Sequence, residues 1–412
     1  MADLANATIY QTSPPQGILW AMSAYNVTGL GKAYHRHNGD KPFGIKERDR
    51  LLHLSAFGQT GTGKSSLIQH MAISDARARR GFCLIDPHGD LARAVSAAID
   101  VPHIYWDVAD PNSPYGYNPL TKTSAPFRPL VASGLIDTLK KQWSDAWGPR
   151  LEHLLRMAIL SLLELPQTDM SDITRLYLNK EFRKQVIAQM TDPYLLHFWT
   201  EEFAAMNYAT SMDGVPPIAN KLSGLMSHPV VRKALCEPEE PLRFRRMMDQ
   251  GKIIIVNLAK GRLGADIANL VGGLLVSSIA NAAFSRHDIP QHERRFFGCY
   301  VDEFASFSTD AFADVLAELR KYGCGWVMSA QTTSQISKPV LSAILGNVGS
   351  LFCFRVGAED APLLSRQLLD ITPAELVNLP NHRAFVRLMV DGVQTKAFTA
   401  ETWPPQTISL PT

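Results

Sequence analysis

The stretch FGQTGTGKSSLIQ, Phe57 to Gln69, holds Gly58, Gly63, Lys64 and Ser65 in the phosphate-loop (Walker A) spacing G-x-x-x-x-G-K-[ST]. Each residue type has a reason. Glycines let consecutive backbone N–H groups curl around phosphate oxygens, and a helix opening there adds its dipole. Lys64 suits the β- and γ-phosphates of a nucleoside triphosphate, and the Ser65 hydroxyl suits Mg²⁺. The full cradle is Gly58, Thr60, Gly61, Thr62, Gly63, Lys64, Ser65 and Ser66. At average residue frequencies the pattern arises by chance in about one chain in a hundred of this length. Its place between a strand-like and a helix-like run removes most of that risk.

A hydrolytic site of this kind also needs carboxylates. FFGCYVDEF supplies them, as an apolar strand ending in Asp302-Glu303. Adjacent acids at the end of a buried strand repel each other and lose solvation, so function explains them better than chance. Asp302 is the candidate metal residue, through water, and Glu303 the candidate general base for the attacking water. Gln331 ends a core strand next to the carboxylate strand, where it is placed to sense the γ-phosphate or orient water. Arg320 closes a helix in LAELRKYG. It is either a charge-stabilising finger for a neighbouring subunit's nucleotide or a favourable charge at a helix C-terminus. Arg355 is a weaker finger candidate. In DPHGD, Asp86 and His88 border either the nucleotide or a subunit boundary, with a plain tight turn as the alternative.

These residues need a frame. LLHLSAFG reads as the strand entering the loop, and KSSLIQHMAISDARARRG as the helix after it, stopped by Gly81. FCLIDPHGD and HIYWDV are further strands, and strands separated by helical stretches imply a parallel sheet with helices on both faces. From about Ala125 to Arg245 helical periodicity dominates, with Leu151, Leu154, Leu155, Ala158, Ile159 and Leu162 on one face. Strands return at KIIIVNL, RFFGCYVDE, GCGWVMSAQ and GSLFCFRVG, and Asp391-Gly392 has the composition of a hairpin turn. The fold class expected is therefore α/β, with a P-loop domain in two parts (46–124 and 246–412), an inserted all-α domain (125–245) and a weakly patterned N-terminal arm (1–45).

Composition narrows the setting. The chain has 412 residues, 46 % apolar and 19 % charged, which supports large cores rather than disorder. A net charge of +2 excludes a global polycation, so nucleic-acid contact requires a local patch. The five cysteines have no CxxC spacing and read as buried reduced thiols. The N-terminus lacks the basic and apolar regions of a signal peptide. The run Ile267 to Phe284, interrupted by asparagines and glycines, reads as a buried helix. The expected location is the cytoplasm, with docking at the inner face of a membrane through a partner.

The order of the phosphate loop, LIDPHGDL, a helical insertion, YVDEF, LAELRKYG, SAQTTSQI and GNVGSLFCFRVGAEDA resembles the FtsK–HerA superfamily of ring-forming DNA-pumping ATPases. Within it the chain looks most like the conjugative coupling proteins of type IV secretion (TraG/TraD type) and their soluble relatives. The resemblance runs from about Phe43 to Ala400. It implies a RecA-like motor domain carrying an all-α domain, a homohexamer around a channel, and ATP with Mg²⁺. It also implies Asp302 and Glu303 as metal and catalytic carboxylates, Gln331 as sensor, Arg320 as the finger acting in trans, and Trp147 to Arg245 as the face toward a relaxosome-like partner. Coupling proteins usually begin with transmembrane helices, and HerA-type translocases with a β-barrel; neither pattern stands before the phosphate loop here.

Two functions follow. One is a DNA translocase, with Lys260 and Arg262 in NLAKGRLG as a candidate channel loop meeting phosphates without sequence preference. The other is an ATPase that powers protein secretion or assembly of a membrane machine with no DNA in its channel. A non-catalytic scaffold is disfavoured by Lys64, Ser65, Asp302 and Glu303 standing together.

Overall fold

The computed structural model describes residues 26–34, 40–206 and 214–405. The chain divides into two compact units. The first is 1–105, 246–257 and 286–412, and the second is 106–245 and 258–285.

An eleven-stranded sheet organises the first unit. Its strands are β1 (Val27–Ala33), β2 (Lys41–Lys46), β3 (Leu54–Phe57), β4 (Gly81–Asp86), β5 (Ile104–Asp107), β6 (Ile253–Asn257), β7 (Phe297–Val301), β8 (Cys324–Ala330), β9 (Ser350–Cys353), β10 (Arg383–Arg387) and β11 (Phe398–Thr402). Their order is β2-β1-β11-β10-β9-β3-β8-β7-β4-β6-β5. The central run from β9 to β6 is parallel, and β10, β11, β1 and β2 add antiparallel pairs. Parallel strands buried on both faces read as continuous apolar runs, and β3, β4, β6, β7, β8 and β9 are buried along their full length.

Two strands at one side of the sheet, β2 at the edge and β1 beside it, lie in the segment expected to be a lead-in arm. β1 and β2 carry Gly29, Gly31, Pro42 and Gly44, which mask a strand pattern. The pair contains a register shift between Gly29 and Gly31. A Cβ on Gly31 would stand 2.1 Å from the Glu401 carbonyl oxygen, so the close approach of β11 demands glycine. The rest of that segment, 1–25 and 35–39, lies outside the described residues.

Helix α1 (Lys64–Arg77) follows the phosphate loop, and α2 (Asp90–Ala98) follows β4. The expected stop at Gly81 is displaced. Arg79 takes the left-handed position with φ +54°, and Gly81 already starts β4, where Gly251 leaves no room for a β-carbon. A buried network braces α1. Asp75 accepts two bonds from Arg50 (2.6 and 2.7 Å) and one from the Tyr300 hydroxyl (2.6 Å), and Arg50 also reaches Thr28. Burial opposes the Arg50 charge, but Asp75 and Tyr300 outweigh it and raise its pKa. Removing one partner of such a buried pair costs about 3–5 kcal/mol.

Among its described residues the second unit is mainly helical, with the end of β5 (Trp106–Asp107) and one two-residue pairing, Tyr115–Gly116 with Glu240–Pro241, as its strand segments. Its helix α3 is Arg128–Gln142. Helix α4 (Pro149–Leu162) starts on proline at its first position and buries Leu151, Leu154, Leu155, Ala158, Ile159 and Leu162, the predicted face. Truncating one such leucine to alanine costs about 2–5 kcal/mol. The unit also takes in 258–285, a stretch expected in the other domain. Its helix α5 (Ala265–Phe284) lies against α3 so closely that a Cβ on Gly134 would stand 2.0 Å from Ser277 Oγ. By length and composition 265–288 meets the requirement for a membrane span, yet 61 % of its apolar window is buried inside the protein.

Candidate active site

Four neighbouring strands, β3, β8, β7 and β4, bring their C-terminal ends to one place. Ligand crevices of parallel α/β sheets form there. β3 delivers the phosphate loop, β8 delivers Gln331, β7 delivers Asp302 and Glu303, and β4 delivers the turn with His88. The cleft, of about 430 Å³, is lined by Thr60, Gly61, Gly63, Lys64, Ser65, Ser66, His88, Asp302, Glu303, Gln331 and His382.

The loop is shaped by φ values of +76° at Gly61 and +123° at Gly63. Gly58 is needed because a β-carbon would meet Phe354 Cβ at 2.7 Å and Thr62 Oγ1 at 2.8 Å. The buried Lys64 ammonium donates back to the carbonyls of Gly58 (2.6 Å) and Gln59 (3.0 Å). Burial pushes its pKa down, against the pull of Asp302 and Glu303. Thr62 turns its hydroxyl to the Gln59 carbonyl at 2.7 Å, so its side chain shapes the loop and stays out of the cleft lining.

Ser65 Oγ donates to Asp302 Oδ2 at 2.8 Å. The other Asp302 oxygen accepts from the Ser329 hydroxyl. A hydroxyl and a carboxylate converging at the start of α1 form the hard oxygen donor set that suits Mg²⁺. Glu303 sits at φ +50°, the left-handed region, with its N–H 3.2 Å from both Asp302 Oδ1 and Ser329 Oγ. Strain of this kind in a non-glycine residue is held by its surroundings and clusters at active sites. Glu303 Oε1 accepts from Gln331 Nε2 at 2.9 Å and lies 3.1 Å from His88 Nε2. The carboxylate is therefore oriented from two strands at once.

The other candidates fall elsewhere. Asp86 turns inward, accepting from the N–H groups of His88 (2.9 Å) and Ala92 (2.8 Å), and so braces the start of α2. Burial raises its pKa, and those backbone bonds oppose the rise. Arg320 is absent from the cleft lining. It follows α6 (Asp310–Leu319) in a turn, Arg320–Tyr322, and lines a separate groove with Arg48, Asp49, Gln291, Lys321 and Asp391. Arg286 Nη1 donates to the Tyr322 carbonyl at 2.8 Å and Arg294 to the Lys321 carbonyl, fixing that turn. Arg355 braces the loop in its own chain. Its carbonyl accepts from Gln59 N–H at 2.8 Å, and its guanidinium reaches Gln59 Oε1 (3.3 Å) and the Leu379 carbonyl (3.1 Å). The expected channel loop is a short helix, Lys260–Leu263, because Ala259 in a left-handed conformation starts a new turn there; Arg262 pairs with Asp107. His382 was not foreseen, since no motif marks it.

No protein-family model matches the sequence, and no curated protein matches it. Solved structures do match. The bacterial conjugative coupling protein TrwBdeltaN70 superposes with a TM-score of 0.62 at 17 % identity, over 88 % of this chain and 87 % of that one. The plasmid coupling protein TrwB in complex with ADP and Mg²⁺ gives 0.63 at 17 %, over 88 % of both. VirB4 of Thermoanaerobacter pseudethanolicus gives 0.61 at 12 %, over 91 % and 95 %. Identities this low speak to architecture, and the chain has the α/β RecA-like P-loop fold of TrwB and VirB4, the fold implied by its resemblance to the FtsK–HerA superfamily.

Proposed function

We propose that this chain is a Mg²⁺-dependent ATPase of the conjugative or type IV secretion class that works as a homohexameric ring and translocates DNA. The observation that carries this reading is the convergence of Lys64, Ser65, Asp302, Glu303 and Gln331 in one cleft of a TrwB-like fold. Backbone N–H groups of the loop bind the phosphates, and Lys64 swings from the Gly58 and Gln59 carbonyls to phosphate oxygens. Ser65 and Asp302 hold the cation. The cation would shield the negative phosphate oxygens and so leave the γ-phosphorus open to attack. Glu303 takes the proton of the attacking water, and Gln331 and His88 fix the plane of that carboxylate.

Arg320 is assigned to a neighbour's nucleotide. Its turn is held by Arg286 and Arg294, it is exposed, and it stands outside the cleft of its own chain. The helical second unit is assigned to a relaxosome-like or secretion-channel partner, and the motor to the cytoplasmic side of the membrane. ATP turnover measured with and without single- or double-stranded DNA tests the translocase reading. DNA raises turnover several-fold at about 50 mM salt, and the gain collapses by about 200 mM as counterions compete. No stimulation at low salt leaves the alternative, an ATPase powering protein secretion or assembly.

A further inference from the structure

His88, Asp302, Glu303 and Gln331 sit together on the carboxylate flank of the cleft, linked through Glu303 and the Asp302–Glu303 peptide. His382 belongs to none of these contacts and abuts the loop elsewhere. Its Nδ1 lies 3.2 Å, and its Cα 3.3 Å, from the point where a β-carbon on Gly63 would stand. Its N–H donates to the Thr62 carbonyl at 2.7 Å, and its carbonyl accepts from Thr402 N–H at 3.0 Å. Between these two anchors φ is +63°. Glycine adopts that conformation freely, and a residue with a β-carbon resists it. The ring is exposed, lines the cleft and is not hydrogen-bonded to any described residue. Of the left-handed non-glycine residues, Glu303 and His382 line the cleft. The strained backbone holds an imidazole at the cleft, which points from an outlier to a function.

We infer that His382 contacts the nucleoside part of the bound nucleotide, its ribose or base. This rests on the reading of the cleft as a nucleotide site. The loop amides take the phosphates, and Ser65 with Asp302 marks the metal side. A side chain against Gly63, away from the carboxylates, meets the ligand beyond its phosphates. Imidazole offers a flat face for stacking and ring nitrogens for a sugar hydroxyl.

Calorimetry of ADP and of inorganic pyrophosphate binding to the wild-type protein, His382→Gly and His382→Asn, with the melting temperature of each, tests this. Both substitutions tolerate positive φ, so the fold is kept, and His382→Gly melts at or above the wild type. ADP binds about tenfold weaker in both variants while pyrophosphate binding is unchanged. Unchanged ADP affinity overturns the inference, as does an equal loss for ADP and pyrophosphate, which would mean that His382 only shapes the loop. Wild-type protein that binds neither ligand removes the nucleotide-site reading itself.

Discussion

Two groups of charged side chains in the first unit are arranged in opposite ways. Around the phosphate loop they converge, with Ser65 on Asp302, and Gln331 and His88 on Glu303. Around Arg320 they diverge. Its turn is clamped from behind by Arg286 and Arg294 through main-chain carbonyls, while Arg320 and Lys321 are exposed along an open groove. Among the described residues that line it, the cleft has two acids and, apart from its histidines, one cation, Lys64. Phosphoryl transfer, on the proposed reading, would place one protein cation beside the metal against the developing charge, leaving room for a second cationic side chain. On the proposed reading the Arg320 group is the second half of one site, offered to another copy of the chain.

The largest effect expected is at the convergent half. Glu303→Gln lowers ATP turnover by about 10²–10⁴ while keeping nucleotide binding, as read by steady-state hydrolysis and calorimetry. Normal turnover would remove Glu303 as the base. Next, Arg320→Ala lowers turnover by about 10³, with ADP affinity and melting temperature unchanged. A parallel loss of ADP binding would put Arg320 in its own chain's site and erase the contrast.

A smaller effect concerns what supports the Arg320 helix. His53 is buried with Nε2 2.9 Å from the Leu316 carbonyl of α6 and Nδ1 accepting from Trp326 N–H. Burial pushes its pKa from 6.5 down to about 4; Arg320 adds to the fall, and the Leu316 bond opposes it. The folded state thus binds fewer protons than the unfolded state between those values. The contribution is complete above about pH 6.5 and is lost as pH falls toward 4, by about 3 kcal/mol in all. Urea unfolding from pH 7 to 4 reads it, and His53→Gln flattens that part of the profile. The smallest effect is at His88, half exposed against Glu303. His88→Ala lowers kcat by about tenfold or less with KM unchanged. A KM effect alone would make His88 a ligand contact rather than an orienting one.

The convergent half was largely legible because its signals are local. A glycine-rich loop, a lysine and a strand ending in two acids announce themselves within a few residues. The pairing of His88 with Glu303 depends on β4 lying beside β7, and the seat of His382 on Gly63 depends on a return of the chain after β9; neither leaves a local pattern. The same physics hid β1 and β2. Gly31 is demanded by a carbonyl contributed by β11, so its reason is visible only once the partner strand is in place. Arg79 took the left-handed position after α1, and Gly81 is instead the first residue of β4, where the close approach of Gly251 excludes a β-carbon; that reason too lies outside the local sequence. The second unit's helical character was read from periodicity, but its claim on 258–285 depends on packing of α5 with α3.

Mixing Arg320→Ala protein with Lys64→Ala protein and measuring ATP hydrolysis tests the shared-site account most directly. Each variant alone is inactive. In mixed assemblies some interfaces join an intact phosphate loop to an intact Arg320, and the account predicts that activity returns in proportion to them. No recovery, in assemblies shown by mass to contain both variants, would contradict it.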